Sequence, residues 1–462
     1  MRFTLLAVAV SLCCLPAMVA EAQPGAGPHL IAPRQIIAGD PTGLSVEGAT
    51  PGEVVRVHVL RRTATVSFEN NQRAERPVIT HAWADYRANG SGRVVLDTAV
   101  SIAGTYAGVD PNGLLWSGWP LGDERIGGGR HPEIGAEPTV PAGQLVIRVE
   151  RAGVLGAATL VPVRAYSDRV RFTELTVAAD GASGVFAAPD QATRLPGLIL
   201  LHGSEGGSMT AARAWAGRMA ERGFAALAVN YVAYSWSGGI PGVPGTFTNL
   251  PVELIDRARQ WLATREEADA AKIALVGGSK GAELALVAAS RYPWVRATVA
   301  CVPSDIVWSG FGREAAPGEL LSSWSWAGKP LPFVAYDRYE DVFSGRATAA
   351  AVHARSRAAA PPATLAASRI PVERIAGPVL LLGAGRDEVW PSLEMTTSIK
   401  RQYADARRDA LLETAEFPQA EHGICGTGAS PARADGKDGA ETAKAAGAAF
   451  RRTLAFLRRV RQ

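Results

Sequence analysis

An α/β architecture, a mostly parallel sheet with helices on both faces preceded by an N-terminal β-sandwich, is predicted by three observations. Residues 41–165 carry short alternating apolar runs broken by turn signals. From about residue 175 onward, continuous apolar runs alternate with helical ones. The stretch Gly277-Gly278-Ser279-Lys280-Gly281-Ala282-Glu283 lies between the apolar run 273–276 and the helical run 284–291. A Gly-x-Ser-x-Gly frame between a strand and a helix is the context of a nucleophile elbow, in which a sharp turn lifts a serine hydroxyl above the sheet. Gly277 and Gly281 flank Ser279 because a side chain there would strike the neighbouring strand or helix. The elbow narrows the class to an α/β-hydrolase.

In chain order, residues 1–22 read as an export signal. Arg2 is a positive start, Leu5 to Val19 is apolar, and Ala20-Glu21-Ala22 precedes a cut before Gln23. Val10-Ser11-Leu12 lacks the small residue expected before a lipidated cysteine, so a soluble exported product, periplasmic or secreted, is expected with no stable membrane insertion. Residues 23–40, rich in Pro, Gly and Ala, are expected as a flexible lead-in. Residues 54–60, 94–96 and 145–149 read as strands, with Asn89-Gly90 and Pro111-Asn112-Gly113 as turns, giving an immunoglobulin-like sandwich. The catalytic domain is expected over 175–462, with strands at 197–201, 224–230, 273–276, 297–302, 379–382 and 411–417. Helices are expected at 211–222, 250–264 and 441–460, and the Ala-rich stretch 347–367 reads as helix plus loop.

Of 462 residues, 47% are hydrophobic and 20% charged, and the net charge is +4. Such a small balance gives no case for nucleic acid as a partner. Outside the export signal only Cys301 and Cys425 remain; two cysteines are no disulfide framework, and two separate buried thiols are the favoured reading. No metal or redox cofactor is implied.

A hydrolase of this class orders its triad as Ser, then acid, then His. Downstream of Ser279, the strand 379–382 runs into Gly383-Ala384-Gly385-Arg386-Asp387, and the strand 411–417 into Pro418-Gln419-Ala420-Glu421-His422. Asp387 and His422 are therefore the expected partners: His422 as general base and acid, Asp387 as its orienting carboxylate. Glu388 competes with Asp387, whereas Asp341 lies too early and lacks a preceding strand. Of the seven histidines, only His422 follows the last strand. The turn Leu201-His202-Gly203-Ser204-Glu205-Gly206-Gly207 should supply the second half of an oxyanion hole, with the N–H of Lys280 and that of Ser204 or Glu205 as donors and His202 shaping the turn. A phosphate-binding loop is excluded there because no Gly-Lys-Ser/Thr ending follows.

With these residues in place, the chain from about 41 to 460 resembles the acyl-CoA thioesterase and bile acid-CoA:amino acid N-acyltransferase family. The resemblance is carried by His81-Ala82-Trp83-Ala84-Asp85-Tyr86-Arg87-Ala88 and by the stretch from Gly104 to Ser117, which includes Asp110-Pro111-Asn112-Gly113-Leu114-Leu115-Trp116. In the second half it is carried by Gly278-Ser279-Lys280-Gly281-Ala282-Glu283, by Gly385-Arg386-Asp387-Glu388-Val389-Trp390-Pro391-Ser392 and by Ala420-Glu421-His422. In that family the amide-forming transferases look to a cysteine nucleophile, while the thioesterases carry serine or sometimes cysteine. Ser279 thus implies hydrolysis of acyl thioesters through a Ser-Asp-His triad and an acyl-enzyme. The oxyanion turn here is more polar than the family's near-continuous glycine run, and export would place the chain where coenzyme A is not expected. An exported carboxylesterase acting on oxyesters, amide synthesis, and a non-catalytic binding protein are the alternatives. The expected partner is a small acyl thioester or ester.

Residues 303–370 read as an insertion between sheet strands, and its Trp308, Trp324, Trp326, Phe333 and Tyr336 either line an acyl pocket or pack a small core of their own. Tyr234, Trp236 and Phe247 in the loop 231–249 are a further pocket wall. The basic tail Arg451, Arg452, Arg458, Arg459 and Arg461 reads as a solvated helix face.

Overall fold

The computed structural model describes residues 27–69, 72–136, 139–311 and 321–459. The export signal at 1–22 therefore lies outside the described residues. Residues 23–40, expected as a flexible lead-in, carry two strands: His29–Ile31 pairs with Ser45–Glu47, and Ile36–Ile37 pairs in parallel with Thr159–Arg164. Strands this short carry no periodic signal, and their stability comes from the sheets they join.

The N-terminal region is a sandwich of a three-stranded sheet and a larger one. The larger sheet is built on a hairpin of two sixteen-residue strands, Val54–Glu69 and Gln72–Arg87. Val55, Val57 and Val59 alternate into the core, which they share with Val46 of the small sheet and with Leu44, Ala84, Tyr86, Leu145 and Ile147. His58 and His81 are buried in this region and contact each other at 3.0 Å, with Glu150 on the far side of His58 at 2.7 Å. Burial pushes the His81 imidazole down to about 3, so both serve as neutral packing groups far from any catalytic role.

The C-terminal region is an eight-stranded sheet: β1 Val170–Leu175, β2 Gly184–Pro189, β3 Leu195–Leu201, β4 Ala225–Val229, β5 Ala268–Gly278, β6 Ala297–Cys301, β7 Val379–Ala384 and β8 Leu412–Phe417. Their spatial order is β1-β2-β4-β3-β5-β6-β7-β8. The first two strands run antiparallel, and β4, β3 and the strands from β5 to β8 run parallel to one another. This is the α/β-hydrolase topology. Helices α1 Met209–Ala220, α2 Leu254–Leu262, α3 Lys280–Ala289, α4 Ala349–Ala359, α5 Ser392–Asp405 and α6 Ala440–Arg459 accompany it. The central strands are apolar on both faces and feed two separate cores, as a sheet covered on both sides requires.

The two regions meet at Arg222, which pairs with Asp40 at 2.6 Å, and on the segment 429–433. Arg433 donates to the carbonyls of Thr105 and Ser117, Ala432 N–H donates to the Trp116 carbonyl at 2.9 Å, and Arg61 donates to the Ala429 carbonyl at 2.6 Å. The unusual stretch 104–117 thus braces the chain just after His422. Within the sheet region, Leu250–Pro251, Trp324–Trp326 and Lys329–Pro330 form a small sheet that joins the loop 231–249 to the insertion.

Candidate active site

The nucleophile position is built by close backbone packing. A β-carbon on Gly277 would lie 2.1 Å from the Gly281 carbonyl oxygen, and one on Gly281 would lie 2.1 Å from that of Leu201. Neither contact is possible, so the two glycines are the condition for β5, Ser279 and α3 to come this close. Ser279 itself has φ 55° and ψ −123°, a region that side chains other than glycine rarely occupy. Its amide donates to the Cys301 carbonyl at 2.9 Å, which anchors the turn to β6.

Asp387 follows β7. Its Oδ1 accepts from the amides of Val389 at 3.0 Å and Trp390 at 3.2 Å, which fixes the carboxylate before any partner arrives. The loop is joined to the one bearing His422: Gly385 N–H donates to Phe417 and Arg386 N–H to Ala420. His422 opens a short turn after β8. Its Nδ1 lies 2.8 and 2.9 Å from the two Asp387 oxygens, and its Nε2 lies 3.0 Å from Ser279 Oγ. A carboxylate accepts only, so Nδ1 carries the proton and Nε2 is left to accept from the serine hydroxyl. Ser279 and Asp387, 143 and 35 residues from His422 along the chain, therefore form one hydrogen-bonded line with it. Glu388 is exposed and does not take part, and Asp341 pairs with Arg346 and Arg355 instead.

The turn after β3 stands opposite. Gly206 N–H donates to Gly203 and Gly207 N–H to Val232, while the amides of Ser204, Glu205 and Lys280 donate to no acceptor among the described residues. Those three are the amides expected from the sequence as oxyanion donors, and each is left without an acceptor among the described residues. The Tyr234 hydroxyl donates to the Ser204 carbonyl at 2.9 Å and the Tyr231 hydroxyl to that of His202, so both peptide planes are held. His202 is buried, stacks on Tyr231 at 4.0 Å and bonds the Gly203 carbonyl. Burial lowers its pKa and keeps it neutral, in keeping with a shaping role.

Two features were not legible beforehand. Cys301 and Cys425 form a disulfide, which corrects the reading of two separate thiols. It ties the end of β6, whose carbonyl holds the Ser279 amide, to the turn that begins at His422. The second feature is a buried charge pair on the first turn of α3. Lys280 Nζ donates to Glu283 Oε2 at 2.7 Å, and Glu283 Oε1 accepts from Trp324 Nε1 at 2.8 Å and the Trp308 amide at 3.2 Å. Burial pushes Lys280 down and Glu283 up, toward their neutral forms, against their mutual attraction. Trp308 and Trp324 thus serve the elbow helix as anchors of the insertion, and Trp308 also stacks on Tyr336. Trp390, in the loop after β7, packs edge-on to His422 at 6.2 Å and to His353 of the insertion at 5.7 Å, so it stands between the insertion and the histidine. A lysine and a glutamate three apart on a helix was the available signal for the pair.

Replacing Glu283 by Ala leaves a buried ammonium, the Trp324 indole N–H and the Trp308 backbone amide unpaired. The expected cost is about 3–5 kcal/mol, read as a fall in the chemical-unfolding midpoint. The double change K280M/E283M should cost less than E283A alone. A midpoint for E283A equal to that of the parent protein would overturn the assignment.

Comparisons with known proteins follow the same division of the chain. The family model described as acyl-CoA thioester hydrolase/BAAT N-terminal region matches residues 40–147, and that described as BAAT/acyl-CoA thioester hydrolase C terminal matches residues 250–426. Human acyl-coenzyme A thioesterase 1 is 28% identical over 272 residues, covering 56% of this chain and 56% of that protein. Human mitochondrial acyl-coenzyme A thioesterase 2 is 27% identical over 270 residues, covering 56% of this chain and 49% of that one. The match thus spans about half the length of these relatives. Among solved structures, an esterase from Pyrobaculum calidifontis aligns with a TM-score of 0.36 and 16% identity, covering 63% of this chain and 85% of that one. Both regional models fall in their proper order and together take in more than half of the residues: the chain belongs to the acyl-CoA thioester hydrolase/BAAT family.

Proposed function

We propose that this chain is a serine hydrolase that cleaves acyl thioesters through an acyl-enzyme intermediate. The observation that carries the reading is the unbroken line from Ser279 Oγ through His422 to Asp387. In the proposed cycle, His422 Nε2 takes the hydroxyl proton as Ser279 Oγ attacks the acyl carbon. Asp387 stabilises the imidazolium and keeps its tautomer. The amides of Lys280 and of Ser204 or Glu205 hold the oxyanion, which needs no side chain and no metal. His422 returns the proton to the departing sulfur and the thiol leaves; water then gives a proton to His422 as it attacks the Ser279 ester, and His422 passes that proton to Ser279 Oγ as the acid is released.

A second reading is favoured by the disulfide. Cystines persist in oxidising compartments and are rare in the cytosol. The bond between Cys301 and Cys425 supports export, where coenzyme A esters are not expected. On that reading the same machinery acts on oxyesters or on other thioesters. Amide synthesis is less supported, because Ser279 stands where the transferases look to a cysteine.

A substrate panel on the purified protein tests this reading. Free acid should be the only acyl product, with or without added glycine or taurine, and thioesters and oxyesters of one acyl chain should rank the two substrates. Failure to hydrolyse either class, together with no fluorophosphonate labelling of Ser279, would overturn the enzyme reading.

A further inference from the structure

The Glu205 carboxylate stands close to the nucleophile without a cation to neutralise it. Its Oε1 accepts from the Gly203 amide at 2.9 Å. A β-carbon built on Gly203 would lie 2.5 Å from Glu205 Oε2 and 3.2 Å from Ser279 Cβ, so a single carbon position separates the carboxylate from the serine. Glu205 is exposed and forms no ion pair among the described residues. The nearby ammonium of Lys280 is buried and engaged by Glu283, so it offers no compensation. The exposed charged side chains on the loops that carry the site are Glu205, Arg386, Glu388 and Glu421, three carboxylates against one guanidinium. The exposed charges of these loops are therefore negative on balance.

We infer that Glu205 sets leaving-group specificity, disfavouring acyl substrates whose leaving group is strongly anionic and favouring neutral or cationic ones. The inference rests on the hydrolase reading above and deepens it by naming the substrate class. A carboxylate fixed to the oxyanion turn repels an approaching phosphate-rich leaving group through space. The repulsion weakens as salt shortens the screening length, to about 10 Å at 0.1 M and about 3 Å at 1 M. A neutral leaving group does not feel it, and a cationic one is attracted.

Three thioesters with one acyl chain separate the possibilities: the coenzyme A ester (anionic), the N-acetylcysteamine ester (neutral) and the thiocholine ester (cationic). At low salt kcat/KM should fall in the order cationic, neutral, anionic. Glu205→Gln keeps an acceptor for the Gly203 amide and removes the charge. It should raise the anionic-to-neutral ratio of kcat/KM by about fivefold, with rates normalised to fluorophosphonate-titrated sites. The ratio in the parent protein should also rise with salt, a measurement that holds even if the variant does not fold. A ratio unmoved by both E205Q and salt would overturn the inference while leaving the hydrolase reading intact. Loss of hydrolysis of all three esters together with absent labelling would overturn both.

Discussion

Ser279→Ala should lower kcat for ester and thioester hydrolysis by about 10⁶-fold, the loss seen when a member of such a unit is removed, with the fold retained. The argument is local. Oγ makes one described hydrogen bond, to His422 Nε2 at 3.0 Å, and the turn beneath it is held by the Cys301 carbonyl and the two glycines, none of which the change touches. His422→Ala should cost about as much, and the double variant hardly more, because nucleophile and base act as one unit. Asp387→Asn should cost about 10⁴-fold, through the wrong tautomer on His422. Ser279→Gly separates chemistry from folding: it is equally inactive, yet it relieves the positive φ of 55° and should not lower the melting temperature. Single-turnover rates and fluorophosphonate labelling read the first effect, and calorimetry the second. Wild-type rates in S279A or H422A would remove the basis of the site.

Features whose cause is local could be read before the structure, and those whose cause is distant could not. Gly277 and Gly281 are demanded by backbone atoms of the same turn and of the adjoining strand β3, so the motif records the packing directly. Asp387 follows β7, an apolar strand buried along its whole length that stands out as a continuous run, whereas His422 follows β8, a half-exposed edge strand, and was read from its place after the last strand. By contrast β1 is an edge strand whose Arg171 and Glu174 are exposed, and its half-polar pattern was missed; the catalytic region starts at Val170 rather than near 175. The hairpin from Val54 to Arg87 was read only as far as residue 60, because Arg61, Arg62 and Thr63 break the apolar alternation while the ladder continues. Leu250 to Thr264 was expected as one helix. Its first two residues instead pair with Trp324 and Ser325, partners more than seventy positions away. The Glu283 anchor and the disulfide are of the same kind: each depends on residues that only the fold brings together.

Removing the disulfide is the second change with a large expected effect, and it acts on stability and chemistry together. Cys301 and Cys425 are 124 residues apart, and chain entropy alone assigns such a closure about 5 kcal/mol, an upper figure because the reduced, unfolded chain retains some structure. For a chain of 462 residues that corresponds to a fall in melting temperature of up to about 5 °C. Cys425 is exposed, so a small thiol reductant can reach the bond without unfolding the protein, whereas Cys301 is buried at the end of β6. The bond closes three residues beyond His422, and the sulfur of Cys425 packs 3.3 Å from where a β-carbon of Gly278 would stand. The staple therefore sets the height of the imidazole over Ser279. A misplacement of about 1 Å at such a contact costs on the order of a hundredfold in rate. Reduction, or the double change C301S/C425S, should thus lower kcat more than it changes KM, and the loss should reverse on reoxidation of the reduced wild type. Thiol labelling with peptide mapping should find neither Cys301 nor Cys425 reactive in the unreduced protein, and both reactive after reduction. Labelling of Cys301 and Cys425 before reduction, or an unchanged melting temperature and kcat after it, would show that the histidine is held by the loop's own hydrogen bonds and by the Arg433, Trp116 and Thr105 contacts beyond it.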